Sequence, residues 1–177
     1  GLAGVGVAFK LCQALSKSYG QPHDALWYYL DLVAVATIAD LAPLTGENRR
    51  LTRFGLKVLK ESRNPGLAAL LHTAGLSEHP VLAAGQISHV LAPRINAVGR
   101  MTEAARGVKL LLEDEPERAH VIAQSLEEEN RTRQEVDRAT LAQALAMLEG
   151  DFDPARNRVI VLAGEGWHPG VIRIVAS

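Results

Sequence analysis

The longest uninterrupted helical signal in the sequence lies between Glu117 and Glu149, a run that contains neither glycine nor proline. Glycine and proline are the residues that most weaken a helix interior, so their absence predicts one continuous helix. At 1.5 Å per residue this helix is roughly 50 Å long. We interpret it as a connector between the sequence that precedes it and the sequence that follows it.

Two helices are predicted near the start of the chain. Apolar residues recur at helical spacing from Val5 to Ser18, and a second helix runs from a capping Asp24 to about Ile38. The second helix is apolar on every side, which indicates burial. The apolar stretch Ala25 to Ala42 contains Asp31 and Asp40, so we expect a buried helix rather than a membrane span.

The third predicted helix begins after Thr45 and has two different faces. The apolar face, which we expect to point inward, contains Leu51, Phe54 and Val58. The opposite face has basic residues spaced by four, four and three positions, namely Arg49, Arg53, Lys57 and Lys60. The simplest interpretation of this basic row is a solvated helix face.

Shorter elements lie between this helix and the long run. A turn at Asn64-Pro65-Gly66 precedes a short helix that ends at Gly75, and Glu103 to Leu112 is predicted to be helical. The segment from Pro80 to Met101 is less periodic. Because its PRINAVGRM string contains both proline and glycine, we predict a loop there.

The sequence after the long run has a different pattern. Gly150 to Asn157 is predicted to be a linker, and the β-branched run Val159 to Ala163 a buried strand. The loop GEGWHPG and a further helix follow. The chain begins without methionine and ends at Ser177 within an apolar run, so we expect an internal piece of a longer polypeptide.

Charge and cysteine content exclude several protein classes. The net charge is −1, which excludes a histone-like polycation but not a local basic patch. The single cysteine, Cys12, excludes a disulfide framework and a cysteine-based zinc site, and it fits a reducing cytoplasm. Aromatic residues make up only 5% of the chain, so few rings are available for base stacking.

Asp40 is the first candidate for chemistry. It ends an apolar helix, where a carboxylate is costly unless it is paired, hydrogen-bonded or bound to metal. A hydrogen bond at the helix end is the simpler alternative. Asp31 lies nine positions earlier and therefore on the opposite helix face, so the two carboxylates cannot form a pair. The sequence contains no cluster of ligands with metal-site spacing, and hence no complete active site.

The PRINAVGRM string is the second candidate. Arg94, Asn96 and Arg100 offer donors suited to phosphate oxygens, and the alternative is that both arginines are surface or helix-capping residues. In the polar middle of the long run, Arg131, Arg133 and Gln134 are candidates for contact with a nucleic-acid backbone. Their acidic neighbours favour a solvated connector instead.

The loop GEGWHPG is the third candidate. It contains His168, for which no acid or nucleophile is evident as a catalytic partner. A lone histidine of this kind is more often structural than catalytic, and the sequence alone leaves its role open.

Four of these segments occur in an order and spacing that resemble a known family. They are LDLVAVATIADLAPLTGENRRLTRFGL, LAPRINAVGRM, EEENRTRQ and GWHPGVIRIVAS. Together they resemble the RecJ single-strand-specific DNA exonucleases of the DHH phosphoesterase superfamily. The resemblance spans essentially the whole chain and departs from the family at Arg173, where glycine is usual.

The resemblance implies a 5′-to-3′ exonuclease of DNA repair and recombination that hydrolyses phosphodiesters with two manganese or magnesium ions. It places a metal-binding aspartate, with a catalytic role, at Asp40. Contacts to single-stranded DNA fall on Arg94, Asn96 and Arg100, and we add His168 as a candidate contact. The other metal-ligand motifs would precede Gly1.

The implied parent fold is α/β, and this segment is expected to be mostly α-helical. Residues 1–112 would end the DHH domain, 113–150 would form the long connecting helix, and 151–177 would begin an α/β DHH-associated domain. We expect a cytoplasmic monomer with no membrane contact. Single-stranded DNA is its expected partner, with a single-strand-binding protein and a helicase as further candidates.

Two other functions are compatible with the sequence. A DHH relative acting on short oligonucleotides, cyclic dinucleotides or pyrophosphate is one, although the long connector and PRINAVGR argue against it. A non-catalytic DHH scaffold that binds single strands or partners is the other, and Asp40 argues against it.

Overall fold

The computed structural model describes residues 1–101, 104–148, 152 and 158–176, apart from the side chains of His23, Val98 and Arg100. This part of the chain is mostly helical and contains no strand. The α-helices are α1 Gly4–Ser18, α2 Leu30–Ala39, α3 Gly46–Lys60, α4 Pro65–Thr73, α5 Ala84–Gln86, α6 Ala92–Met101, α7 Ala105–Leu111, α8 Pro116–Leu148 and α9 Pro169–Val175.

The second predicted helix is in fact two elements. A 3₁₀ helix spans His23–Tyr29 and is followed directly by α2. Asp24 lies in the first turn of the 3₁₀ helix, and Pro22 rather than Asp24 occupies the N-cap. The expected burial of α2 is confirmed, because most of its residues are buried. Among the described residues, no helix has the length and apolarity needed to cross a membrane.

Helices α2 and α3 form an antiparallel pair with unusually close backbones. A Cβ atom on Gly55 would overlap the Leu30 carbonyl oxygen and the Ala34 side chain, so only glycine fits at this crossing. The buried face of α3 therefore has Gly55 at the crossing, with leucines on either side of it in the sequence, Leu51 and Leu59. Phe54 was expected to point inward, but it is 53% exposed.

The PRINAVGRM segment is helical rather than a loop, which corrects the sequence prediction. It forms α6, and α6 continues from α5 through a π-helical turn at Ile87–Leu91. Proline lacks an N–H and clashes with the carbonyl four residues earlier, and the wider π turn accommodates Pro93 without ending the helix.

The long helix α8 matches its predicted bounds to within one residue at each end. Its N-terminal part packs against α4, α6 and α7 and closes the main hydrophobic core. The fully buried leucine and isoleucine side chains of this core are Leu59, Leu67, Leu70, Ile87, Leu91, Leu110 and Leu126. Each such burial contributes about 1.5–3 kcal/mol. The polar middle is not simply solvated, since Asn130 is buried.

The predicted strand Val159–Ala163 does not form, which corrects the sequence prediction. A strand needs a neighbouring strand to satisfy its backbone groups, and none is present in the described ranges. Val159 and Val161 are consequently exposed. The predicted linker Gly150–Asn157 lies outside the described residues apart from Phe152. Arg173 is exposed on α9, so its long side chain causes no packing conflict there.

Candidate metal ligand and nucleic-acid contacts

Asp40 lies at the C-cap of α2, where the chain turns through a Schellman motif. The Leu41 N–H donates to the Ile38 carbonyl (3.0 Å), and the Ala42 N–H donates to the Thr37 carbonyl (3.2 Å). Leu41 occupies the left-handed position with φ 52°, where glycine is usual. Such backbone strain costs about 1–3 kcal/mol and occurs preferentially at functional sites.

The Asp40 carboxylate is exposed and suited to a cation. In the described part of the chain it forms no hydrogen bond and no ion pair. It lies at the negative end of the α2 dipole, where a bound cation is favourable and a lone carboxylate is not. Carboxylate oxygen is also the ligand type that magnesium and manganese prefer. Asp40 is therefore suited to be one of several ligands of a divalent metal ion.

Asp40 does not complete such a site by itself. Among the described residues, no group of three or more histidine, cysteine, aspartate or glutamate side chains could hold a metal ion.

Asp31, at the other end of α2, has a structural environment. Its side chain accepts hydrogen bonds from the Ser62 hydroxyl and the Leu32 N–H, both at 2.6 Å. Burial raises the pKa of the Asp31 carboxyl, although these two hydrogen bonds oppose the shift. Ser62 also accepts from the Asn64 N–H (3.2 Å), so Asp31 connects α2 to the N-cap of α4.

Thr37 is a polar residue that sequence reasoning did not single out. It is buried one helical turn before Asp40, and its hydroxyl has no hydrogen-bond partner in the described structure. A buried, unsatisfied hydroxyl costs about 1–3 kcal/mol. The available signal was its position in LDLVAVATIAD, where it is the single hydroxyl residue among aliphatic ones.

Arg94 is held against the long helix. Its Nε donates to Glu127 of α8, and its NH1 donates to the Val90 carbonyl in the π turn. Its side chain is only 14% exposed. A second pair joins Arg106 of α7 to Glu129 of α8. These two pairs fasten α8 to the helical body.

The other predicted contacts in this string have different surroundings. Asn96 is exposed on α6. Arg100 lies within α6, but its side chain is outside the described part of the structure.

In the polar middle of α8, Arg133 donates to Asn130 (3.1 Å) and pairs with Asp137 (3.7 Å). Arg131 is exposed and Gln134 is half-buried.

His168 is the N-cap of α9 rather than a free side chain. Its Nδ1 accepts a hydrogen bond from the Gly170 N–H (3.1 Å), which leaves Nε2 as the proton-bearing nitrogen. The neighbouring Trp167 donates from Nε1 to Gln143 of α8 (2.7 Å) and packs its ring over Gly164. The GEGWHPG loop is thus anchored to the long helix.

Three of the motifs meet at one place. A cleft of about 130 Å³ between α6, α8 and α9 is lined by Pro93, Asn96, Arg133 and Ile174. It joins the PRINAVGRM helix, the polar middle of α8 and the helix that His168 caps. Asp40 does not line this cleft, so the structure does not bring all of the predicted site residues together.

Comparison with known proteins identifies relatives of the whole chain. No protein-family model matches it. The single-stranded-DNA-specific exonuclease RecJ of Bacillus subtilis is 39% identical over 176 residues, which are 99% of this chain and 21% of that protein. RecJ of Thermus thermophilus is 39% identical, covering 98% of this chain and 24% of that protein. RecJ of Escherichia coli is 36% identical over 99% of this chain and 32% of that protein.

Solved structures agree with this result. A RecJ exonuclease bound to manganese superimposes with a TM-score of 0.87 at 38% identity, over 99% of this chain and 43% of that one. RecJ of Thermus thermophilus in complex with magnesium gives the same score and identity, over 98% of this chain and 26% of that one. The chain spans about a fifth to a third of the length of the curated relatives it matches. In sequence and in fold, nearly the whole chain is therefore homologous to a part of the RecJ exonucleases.

Proposed function

We propose that this chain is a working part of a single-strand-specific DNA exonuclease that acts in the 5′-to-3′ direction during DNA repair and recombination. The observation that supports this most strongly is the likeness to RecJ exonucleases, at 36–39% identity and a TM-score of 0.87 over practically every residue. The two RecJ structures bound to manganese and magnesium support the same metals as cofactors here.

In this proposal Asp40 is a metal ligand and hence a catalytic residue. Its exposed carboxylate at the negative end of α2 supports that role. Two divalent ions held in part by Asp40 would supply an activated water and would stabilise the leaving oxygen in an in-line displacement. The contribution of this chain is to hold the carboxylate in place, through the rigid α2–α3 pair and the capped turn after Asp40.

The strand contacts in this proposal are Arg94, Asn96, Arg100 and His168. Exposed Asn96 and the Nε2 proton of His168 are available to phosphate oxygens without rearrangement. Arg94 must exchange Glu127 for a phosphate to make such a contact. The domain division at residues 112 and 150, the monomeric state and the protein partners named above remain predictions.

Hydrolysis assays on the native gene product that contains this sequence test the proposed function. Single-stranded DNA labelled at the 5′ or the 3′ end, duplex DNA of the same sequence and a dinucleotide are compared, each with manganese, with magnesium and with EDTA. We expect metal-dependent release of the 5′ label from single strands first. Preferred turnover of the dinucleotide would favour the small-substrate relative, and binding without hydrolysis would favour the scaffold.

Salt titration tests the strand contacts. In a catalytically inactive background, each of Arg94→Ala and Arg100→Ala should lower the slope of log affinity against log salt by roughly 0.7, the value per phosphate neutralised on a single strand. A purely structural role for Arg94 predicts lower stability with an unchanged slope. Unchanged slopes for both variants would refute both contacts.

We also predict that the 177-residue chain alone does not hydrolyse DNA, because a single aspartate cannot hold two metal ions. Incubation of the purified chain with labelled single strands and manganese checks this. Degradation that persists after contaminating nucleases are excluded would show that the active site lies elsewhere in the chain.

A further inference from the structure

The outward face of α3 has a row of cations that the proposed site does not use. Arg49, Arg53 and Lys57, which we call the α3 basic row, are all exposed. Within the described residues, no hydrogen bond or ion pair engages their side chains. Lys60, the fourth basic residue of the predicted face, differs because its ammonium group donates to the Ser77 carbonyl.

The charges of α3 are organised differently from those of α8. On α8, acids and bases are interspersed, and Glu127 and Glu129 pair with arginines of neighbouring helices. On α3, the acid of the first turn, Glu47, is paired with Lys10 of α1. Like charges four residues apart on a helix are mutually destabilising. Among the described residues the α3 basic row has no ion-pair partner, although Glu61 lies at the C-cap of the helix. Such a row is the pattern expected where a polyanion supplies negative charge.

An exposed aromatic side chain lies beside this row. Phe54 follows Arg53 directly and is 53% exposed, because the buried face of α3, with Gly55 at its crossing with α2, lies on another side of the helix. Cations along a groove or face combined with an accessible ring are the two elements by which proteins hold single strands without reading their sequence. The ring offers a stacking surface to a base, and the cations contact the backbone.

The geometry of the row suits an extended strand. Residues four apart on an α-helix are separated by about 6 Å along the axis, which is comparable to the spacing of successive phosphates in an extended single strand. The row also begins soon after Asp40 in the chain, since α3 starts at Gly46. The connection from α2 to α3 is short, and the Asn48 amide, at the start of α3, donates to the Pro43 carbonyl within it (3.1 Å).

We propose that the α3 basic row, together with Phe54, binds the sugar–phosphate backbone and one base of a single-stranded nucleic acid as it passes the Asp40 end of α2. The proposal rests on the proposed function in one respect, namely that the ligand is the substrate strand. The binding itself requires no metal and no hydrolysis.

Fluorescence anisotropy of a labelled oligo-dT, recorded in EDTA across a salt series, tests this inference on the native gene product. The variant R49Q/R53Q/K57Q is compared with K17Q/K109Q/R138Q, which removes the same charge from exposed positions on three other helices. We expect the row variant to bind at least tenfold more weakly and to lose about 2 from the salt slope, roughly 0.7 for each contact. The scattered control should keep the parental slope.

The ring is tested separately. Phe54→Leu should weaken binding several-fold with an unchanged salt slope, because it removes stacking and no charge. Phe54→Trp should restore the affinity. A loss in Phe54→Leu that tryptophan does not restore would overturn the stacking role.

Equal slopes in the row variant and the scattered control would overturn the binding role of the row, whether affinity falls in both or in neither. Binding to an acidic protein that depends on the row, with unchanged binding to oligo-dT, would also overturn it. Melting temperatures confirm that each variant is folded, and R53Q alone replaces the triple variant if that one unfolds. If the parent protein is an active exonuclease and the row variant binds the strand as well as the parent does, the binding role of the row is refuted and the proposed function stands. If the parent protein shows no exonuclease activity but its strand binding depends on the row, the proposed function is refuted and the binding role stands.

Discussion

The two ends of α8 have very different surroundings. Near its start, Ala119, Ala123 and Leu126 are fully buried against α4, α6 and α7. Near its end, Leu141 and Leu145 are 44% and 53% exposed and border an open, largely apolar cleft of about 740 Å³. The helix is continuous through both regions, so its formation does not depend on a closed core. The packing energy, by contrast, is concentrated in the first half.

The largest expected effect on stability tests this difference between the two halves of α8. Leu126→Ala should destabilise the protein by about 2–5 kcal/mol, because it leaves a cavity in a closed core. Leu145→Ala should change stability by less than about 0.5 kcal/mol, because its side chain is half exposed. Urea unfolding followed by circular dichroism measures both. Similar losses would show that the second half of α8 is packed as tightly as the first.

A smaller effect is expected from the pairs that fasten α8 to the body. Arg94→Met keeps the apolar stem but leaves Glu127 without its partner in a site that is mostly buried, which should cost about 1–2 kcal/mol. Arg118→Met removes an exposed pair with Glu115 and should cost less than about 0.5 kcal/mol. The shift in urea midpoint compares the two variants. A Glu127→Gln change that rescues Arg94→Met would confirm that the unpaired carboxylate is the cause.

The smallest effect concerns Asp31 and depends on pH. Burial raises the pKa of its carboxyl in the folded state, so the folded state holds this proton more tightly than the unfolded state does. Protonated Asp31 therefore adds to the free energy of unfolding below the ordinary pKa of aspartate, and this contribution is lost as pH rises through the raised pKa. Asparagine does not ionise, so Asp31→Asn should remove the decrease in stability with rising pH. Melting temperatures of parent and variant should therefore diverge with rising pH over that window, in favour of the variant, and a constant difference would contradict the assignment.

The sequence predicts local structure well and structure that depends on distant contacts poorly. The bounds of α8 depend on local propensity and on the absence of glycine and proline, and they were predicted to within a residue. The strand at Val159–Ala163 depends on a partner elsewhere, and it does not form here. Its β-branched composition shows what the segment favours but not what it pairs with.

Two other errors have specific physical causes. The sequence predicts a loop at PRINAVGRM because the segment contains Pro93 and Gly99. The π turn before it, which no residue pattern indicates, keeps the segment helical. Phe54 was assigned inward because it is large and apolar. The true contact face is centred on Gly55, whose close approach to Leu30 depends on the path of α2. The role of Asp40 came from the family resemblance, and the structure adds its exposure and the strained turn at Leu41.

The central claim, that Asp40 is a metal ligand, is tested most directly by Asp40→Ala in the native gene product, with exonuclease rate and melting temperature measured together. Asp24→Ala, which removes another exposed aspartate, is the matched control. We predict that Asp40→Ala lowers the rate at least about 100-fold through loss of metal positioning. Its melting temperature should stay unchanged, and the control should keep full activity. A lowered melting temperature with full activity per folded molecule would contradict the claim.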